Sequence, residues 1–216
     1  MKHCTQTGRS MIEMLGVLAI IGVLSVGGIA GFYKAMQKYK INSTVSQITH
    51  LVTRIRVAFV GQKNYKGLGE TPEEVNAVLY NTNCLPKNSL LRNEDGEIIF
   101  PYQYRNAFKG DISVRYADRY VANDYASFII RYDFIPKHAC VAIATSNWGG
   151  PNGSGYIASS INVPLPKETN MGNCTPTNIT QERYAIHCAN TGVMPNEAAA
   201  RACRSERNNF IEVMFY

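Results

Sequence analysis

One stretch near the start of the chain restricts every fold it can take. From Met14 to Tyr33 there is no charged residue, and only Ser25, the glycines and the closing tyrosine interrupt a run of apolar side chains. About 20 such residues in a helix cross a hydrocarbon core of roughly 30 Å. The run therefore predicts a membrane-spanning helix over about 11–33. Glu13 stands directly at its front. An ionised acid in the middle of a membrane helix costs on the order of 2.5–3.5 kcal/mol, and neither a plain anchor nor an export signal has a use for that cost. An export signal also has a shorter apolar core followed by a small-residue cleavage site, of which Gly28-Ile29-Ala30-Gly31 is a poor version. Lys2 and Arg9 precede the run, and Lys34, Lys38 and Lys40 follow it, so basic flanks alone leave the orientation open.

These features fit together if a short basic leader, residues 1–8, is removed after Gly8 and Arg9 becomes the new N-terminus. Glu13 then lies five residues past Gly8, at the tip of the helix, where the positive end of the helix dipole favours an acid. An N-terminal amine, its own or that of a neighbouring subunit, offers a partner. In low dielectric such a pair attracts strongly, and removing one member strands a buried charge. The segment Gly8-Arg9-Ser10-Met11-Ile12-Glu13-Met14-Leu15 resembles the prepilin cleavage and methylation motif of the type IV pilins and pseudopilins. Arg9 departs from that pattern, since the family usually has Phe, Met or Leu there. The resemblance implies Gly8 and Arg9 as the processing site and Glu13 as an assembly residue. It implies as partners the prepilin peptidase, the pilus assembly machinery of the inner membrane, and copies of the chain or other pilins. It places the protein as a single-pass inner-membrane protein before assembly and in an extracellular or periplasmic filament afterwards.

Helical periodicity continues past the membrane. Ile41, Val45, Ile48, Val52, Ile55 and Phe59 recur at spacings of four and three, a stripe on one helix face. No proline falls between Met11 and Val60, so one helix of about 50 residues, near 75 Å at 1.5 Å per residue, is expected over 9–60. Its second half carries the stripe that docks on a globular head. Many type IV pilins have a proline in the first half of this helix; Ala30 occupies about that place here, and Gly27, Gly28 and Gly31 are its weak points.

Residues 61–216 are of single-domain size. Thr71-Pro72-Glu73-Glu74 predicts a helix start with a capping box, the helix running to about Tyr80. Asp95-Gly96 predicts a turn, followed by a short strand over Glu97–Phe100. Asp111–Tyr116 and Ser127–Phe134 alternate as strands, with Phe128, Ile130 and Tyr132 on one face and Ile129, Arg131 and Asp133 on the other. A helix is expected from Pro136 to Ala144, a strand around Tyr156–Val163 within a Gly/Pro/Asn/Ser-rich stretch reaching about Thr180, a short helix over Asn196–Arg204 and a closing strand over Asn208–Tyr216. The fold class is α+β: a long N-terminal helical spine, transmembrane in its first half, packed on an antiparallel sheet in a pilin-like head.

Formal net charge is +6, with the basic residues scattered rather than clustered, so nucleic-acid binding has little support. Cys4 falls in the leader, leaving Cys84, Cys140, Cys174, Cys188 and Cys203, an odd number that suits two disulfides and a leftover thiol in an oxidising compartment. Spacing alone leaves the connectivity open. The region around Ile135-Pro136-Lys137-His138-Ala139-Cys140, with Trp148-Gly149 and Ala199-Ala200-Arg201-Ala202-Cys203 before Asn208-Asn209-Phe210-Ile211, resembles the type IVb pilin group. That resemblance implies a Cys140–Cys203 disulfide bounding the C-terminal region; Cys174 and Cys188 then make the second bridge and Cys84 stays over.

No arrangement for catalysis is present. The chain has no Gly-rich Walker loop, HExxH or GxSxG, and His3, His50, His138 and His187 are isolated in sequence. No zinc spacing appears, and Glu94, Asp95 and Glu97 lack the spacing of a calcium loop. No metal, cofactor or enzymatic activity is expected. The function expected is that of a structural subunit of a type IV pilus-like filament, processed by prepilin peptidase and assembled through its apolar helix. A minor pilin or a type II secretion pseudopilin is the alternative within the family, and a membrane-anchored periplasmic binding module the alternative outside it.

Overall fold

The computed structural model describes residues 11–149, 153–167, 185–189 and 192–216. Its contacts divide the chain into two compact units, Met1–Tyr39 and Lys40–Tyr216. One helix, α1 (Met11–Ala58, 48 residues), runs through the boundary between them.

In the first unit α1 exposes its apolar side chains on every side. Ile12, Val17, Leu18, Ile20, Ile21, Val23, Leu24, Val26 and Ile29 are all open, and neighbours such as Ile20 and Ile21 point about 100° apart around the axis. A helix that is apolar all round belongs in lipid or among other helices. Ser25, its single hydroxyl residue before Tyr33, turns Oγ back onto the Ile21 carbonyl at 2.7 Å, which leaves no polar group of that side chain unsatisfied in an apolar medium.

In the second unit the same helix becomes one-sided. Ile48, Leu51, Val52, Ile55 and Phe59 are buried, with Ile41 and Val45 packed beside them, so the expected stripe forms the core face. Leu51 and Thr44, outside the stripe read from spacing, join it; Thr44 is tolerated there because Oγ1 bonds the Lys40 carbonyl at 2.9 Å. The helix ends at Ala58, just before Gly61 at φ +86°.

A six-stranded sheet lies against this face, made of β1 (Tyr104–Arg105), β2 (Asp111–Ala117), β3 (Ser127–Ile135), β4 (Tyr156–Ile161), β5 (Ala185–Cys188) and β6 (Asn209–Phe215). The spatial order is β1-β2-β3-β6-β4-β5 and every pairing is antiparallel. Alternation works as expected: Phe128, Ile130 and Tyr132 meet α1, while Ile129 faces a second cluster with Met214, Ala158, Ile157, Leu165 and Cys188. Helix α2 (Pro72–Asn81) starts with the full capping box, Thr71 and Glu74 bonding each other's backbone N–H. Helix α3 (Lys137–Ala144) buries Ala139, Cys140, Ile143 and Ala144, and helix α4 (Asn196–Ala202) buries Ala198, Ala199 and Ala202.

One local expectation is corrected. Residues Glu97–Phe100 form no strand; the hairpin there has the isolated bridges Leu90↔Tyr104 and Arg92↔Ile98, with the Asn93 N–H bonding the Glu97 carbonyl at 2.9 Å and the Ile99 N–H the Leu91 carbonyl at 3.3 Å. Pro101 follows directly and has no N–H to continue a ladder. The edge strand β5 matches no expected element, because four residues are too few to show a period.

Candidate assembly site

Glu13 occupies the first turn of α1, where a carboxylate favours the helix dipole. Gly8 and Arg9 lie outside the described residues.

The expected Cys140–Cys203 disulfide is present, joining α3 to the end of α4 with Cα atoms 5.9 Å apart across 63 positions. Closing a loop of that length stabilises a fold by about 3–5 kcal/mol in the loop-entropy account. The bridge is supported from below: Cys140 N–H bonds the Pro136 carbonyl and Cys203 N–H that of Ala199, both at 2.8 Å. Cys188 is also disulfide-bonded; Cys174 lies outside the described residues, so the expected Cys174–Cys188 pairing stands as a proposal. Cys84 is free and buried, its thiol 3.0 Å from the Thr82 hydroxyl, and burial pushes its pKa up, which makes it a poor nucleophile.

The face of the sheet away from α1 holds a feature that sequence reasoning missed. Glu212, on β6, is fully buried. Arg115 from β2 grips it through two bonds of 2.8 Å, the Leu165 N–H adds one at 2.6 Å, and Arg131 from β3 stands 3.7 Å away. Burial works to lower the Arg131 pKa, but the Asp133 and Glu212 carboxylates outweigh it and raise the net value. Arg131 also lies over the Phe210 ring at 3.7 Å. Alternation alone shows Arg115, Arg131 and Glu212 on one sheet face, but their meeting depends on a strand order that places β6 beside β3.

Nothing here has the form of a catalytic centre. His50 and His138 are exposed, and His187 sits in β5 opposite Ser159, where burial lowers its pKa. Among the described residues no group of three or more His, Cys, Asp or Glu is placed to hold a metal ion. Trp148 is packed into the main core just beyond α3.

A model of the family described as PilS N terminal matches residues 38–204. Two curated relatives are each named as the major structural subunit of the bundle-forming pilus. One, from Escherichia coli O111:H-, is 29% identical over 194 residues, covering 86% of this chain and 89% of its own. The other, from Escherichia coli O127:H6 (strain E2348/69 / EPEC), is 28% identical over the same shares. Among solved structures, the type IV b pilin from Salmonella typhi is similar at a TM-score of 0.53 and 15% identity, covering 80% of this chain and 97% of its own. TcpA, a type IV pilin from Vibrio cholerae El Tor biotype, is similar at a TM-score of 0.52 and 9% identity, covering 82% and 99%. At those identities the two structures speak to the fold, a long helix packed on an antiparallel sheet.

Proposed function

The chain belongs to the type IV pilins, through the PilS N-terminal family whose match spans most of it, and from that premise we propose that it is the major structural subunit of a pilus. The observation that carries this is the match, over 89% of their length, to relatives named as major subunits of the bundle-forming pilus. Their coverage favours a filament-building role over that of a minor pilin or pseudopilin.

The mechanism has a membrane stage and a filament stage. The apolar half of α1 holds the subunit in the inner membrane, where prepilin peptidase cuts after Gly8 and leaves Arg9 at the N-terminus. In the filament the same side chains pack against neighbouring spines, which suits a helix that is exposed and apolar on all sides. Glu13 pairs there with the Arg9 amine of the next subunit. The charge is costly in a lone subunit and compensated in a stack, so it sets register as well as attraction. The head serves as a disulfide-locked structural body. The pilus assembly machinery of the inner membrane drives the transfer.

The test is made on fibres sheared from cells. Mass spectrometry of the wild-type subunit is expected to give a chain beginning at Arg9, and Gly8→Ala a precursor that keeps residues 1–8. Glu13→Gln is expected to be inserted and cut yet to assemble poorly. Full piliation by Glu13→Gln refutes the pairing, and a mature-sized Gly8→Ala subunit refutes the cleavage site.

A further inference from the structure

No acidic residue falls between Glu13 and Glu70, while Lys34 and Lys38 stand just beyond the apolar run that closes at Tyr33. Both lysines are exposed on α1 within its first unit, and among the described residues neither enters an ion pair. The helix passes through this stretch without a break.

Four residues of helix give about 6 Å of rise and about 40° of turn, so the two ammonium groups share a face. Like charges at that spacing repel. An anion set between them turns the repulsion into attraction. The spine itself offers no such anion, because its sequence is free of acids from Met14 to Gly69. A neighbouring spine brings the same acid-free stretch, and its Glu13 is already assigned to an Arg9 amine.

Depth selects the source of the counter-charge. With Met14–Tyr33 filling the hydrocarbon core, Lys34 and Lys38 lie about 1.5 and 7.5 Å beyond its edge, at 1.5 Å per residue. The headgroup layer on each side of the core is roughly 5–8 Å deep. Cα–Cβ bonds of a helix tilt toward its N-terminus, which here is back toward the bilayer. A lysine stem covers apolar surface while its ammonium stays in the polar layer. Tyr33 and Tyr39, 64% and 68% exposed, bring amphipathic rings to the same depth, where tyrosine is enriched.

We propose that Lys34 and Lys38 clamp the phosphate of an anionic phospholipid in the leaflet through which α1 leaves the membrane. The proposal rests on the membrane stage of the reading above and deepens it. A zwitterionic headgroup carries its own ammonium, which repels the lysines, whereas phosphatidylglycerol presents a net negative charge. The clamp fixes the depth of the stored subunit, and it has to be released when the spine passes into a filament.

The test uses the full chain in phosphatidylcholine vesicles that hold a trace of spin-labelled phosphatidylglycerol or spin-labelled phosphatidylcholine. At low salt the wild type is expected to retain the phosphatidylglycerol probe about tenfold better, each lysine near an anionic surface being worth about fivefold and the two sharing one phosphate. Lys34→Gln together with Lys38→Gln is expected to cut that ratio about fourfold or more. Lys34→Arg with Lys38→Arg, and separately the head variant Lys63→Gln, are expected to keep it. Equal retention of the two probes by the wild type, a ratio unchanged in the glutamine variant, or a ratio lost in Lys63→Gln overturns the proposal. Loss of sheared fibres in the glutamine variant with the lipid ratio unchanged assigns the lysines to a neighbouring head and overturns it as well. Alkaline carbonate extraction of the same vesicles separates the two readings. If the chain is washed off, the membrane stage falls too; if it stays and holds both probes equally, this inference falls alone.

Discussion

Arg56 near the end of α1 and Tyr216, 160 positions later, are joined by a hydrogen bond from the guanidinium Nε to the Tyr216 main-chain oxygen at 2.7 Å. The guanidinium also stands 5.8 Å from the ring centroids of both Phe215 and Tyr216. Gly155 closes the junction, its carbonyl taking the Tyr216 N–H at 3.0 Å. The helix, the approach to β4 and the end of β6 meet at this point. Gly155 sits at φ +64°, and a Cβ added there would overlap the Arg56 guanidinium.

Gly155→Ala is therefore expected to destabilise the head by about 2–4 kcal/mol, part backbone strain and part displacement of Arg56. Adding Arg56→Ala should recover the overlap but not the strain. Urea unfolding of the two single variants and the double variant gives the coupling, and strictly additive losses would contradict the packing described.

The buried Glu212 makes the fold sensitive to a single charge. Glu212→Gln keeps the shape and trades two charge-assisted bonds from Arg115 for bonds to a neutral amide, a loss of about 1–3 kcal/mol, since Arg115 and Arg131 stay about a third exposed. Arg115→Met should cost more, about 3–5 kcal/mol, because it leaves the fully buried carboxylate with the Leu165 N–H and an Arg131 guanidinium 3.7 Å away. The order of the two denaturation midpoints checks this.

Tyr132 presents the opposite case. Among the described residues its buried hydroxyl has no hydrogen-bond partner, and burial pushes its pKa well up. Removing an unsatisfied polar atom from a core relieves a desolvation cost of about 1–3 kcal/mol, offset by the small void left behind. Tyr132→Phe is expected to leave Tm unchanged or raise it. A clear fall in Tm would mean that the hydroxyl has a bound partner, such as water.

Acid should loosen the 118–126 loop before it unfolds the head. Slight burial acts to raise the Asp124 pKa, but the N–H groups of Tyr120, Arg119, Ala126 and Val121 outweigh it and hold the value below the ordinary aspartate range. A carboxyl with a depressed folded pKa contributes stability above its unfolded value, about 3.9, and loses it as pH falls through the folded value. Amide exchange at Tyr120 and Val121 should accelerate below about pH 4. In Asp124→Asn it should already be fast at neutral pH, with little further acid response.

The periodic parts of this fold were legible and the non-local parts were not. The stripe from Ile41 to Phe59, the capping box at Thr71 and the alternation of Phe128, Ile130 and Tyr132 are local patterns, and each buries the face its period marks. The order of strands is not a local property. Nothing in Asn209–Phe215 says that it lies between β3 and β4, so the meeting of Arg115 with Glu212 and of Arg56 with Tyr216 could not be foreseen. The Cys140–Cys203 pairing came from a family resemblance, since spacing alone leaves the pairing undetermined.

The central position of β6 also sets a timetable. Until Asn209–Phe215 has emerged, β1, β2 and β3 can assemble on one side and β4 and β5 on the other, but nothing joins the two groups in one sheet. A chain still being made thus carries two raw edges, along β3 and β4, of the kind that invites pairing with a stranger. Their closure depends on contacts between residues far apart in sequence, which form late and slowly. A growing subunit is consequently in greatest danger of aggregation just before its last strand arrives. An agent that shields β3 and β4 during that interval should raise the yield of folded head without improving its final stability.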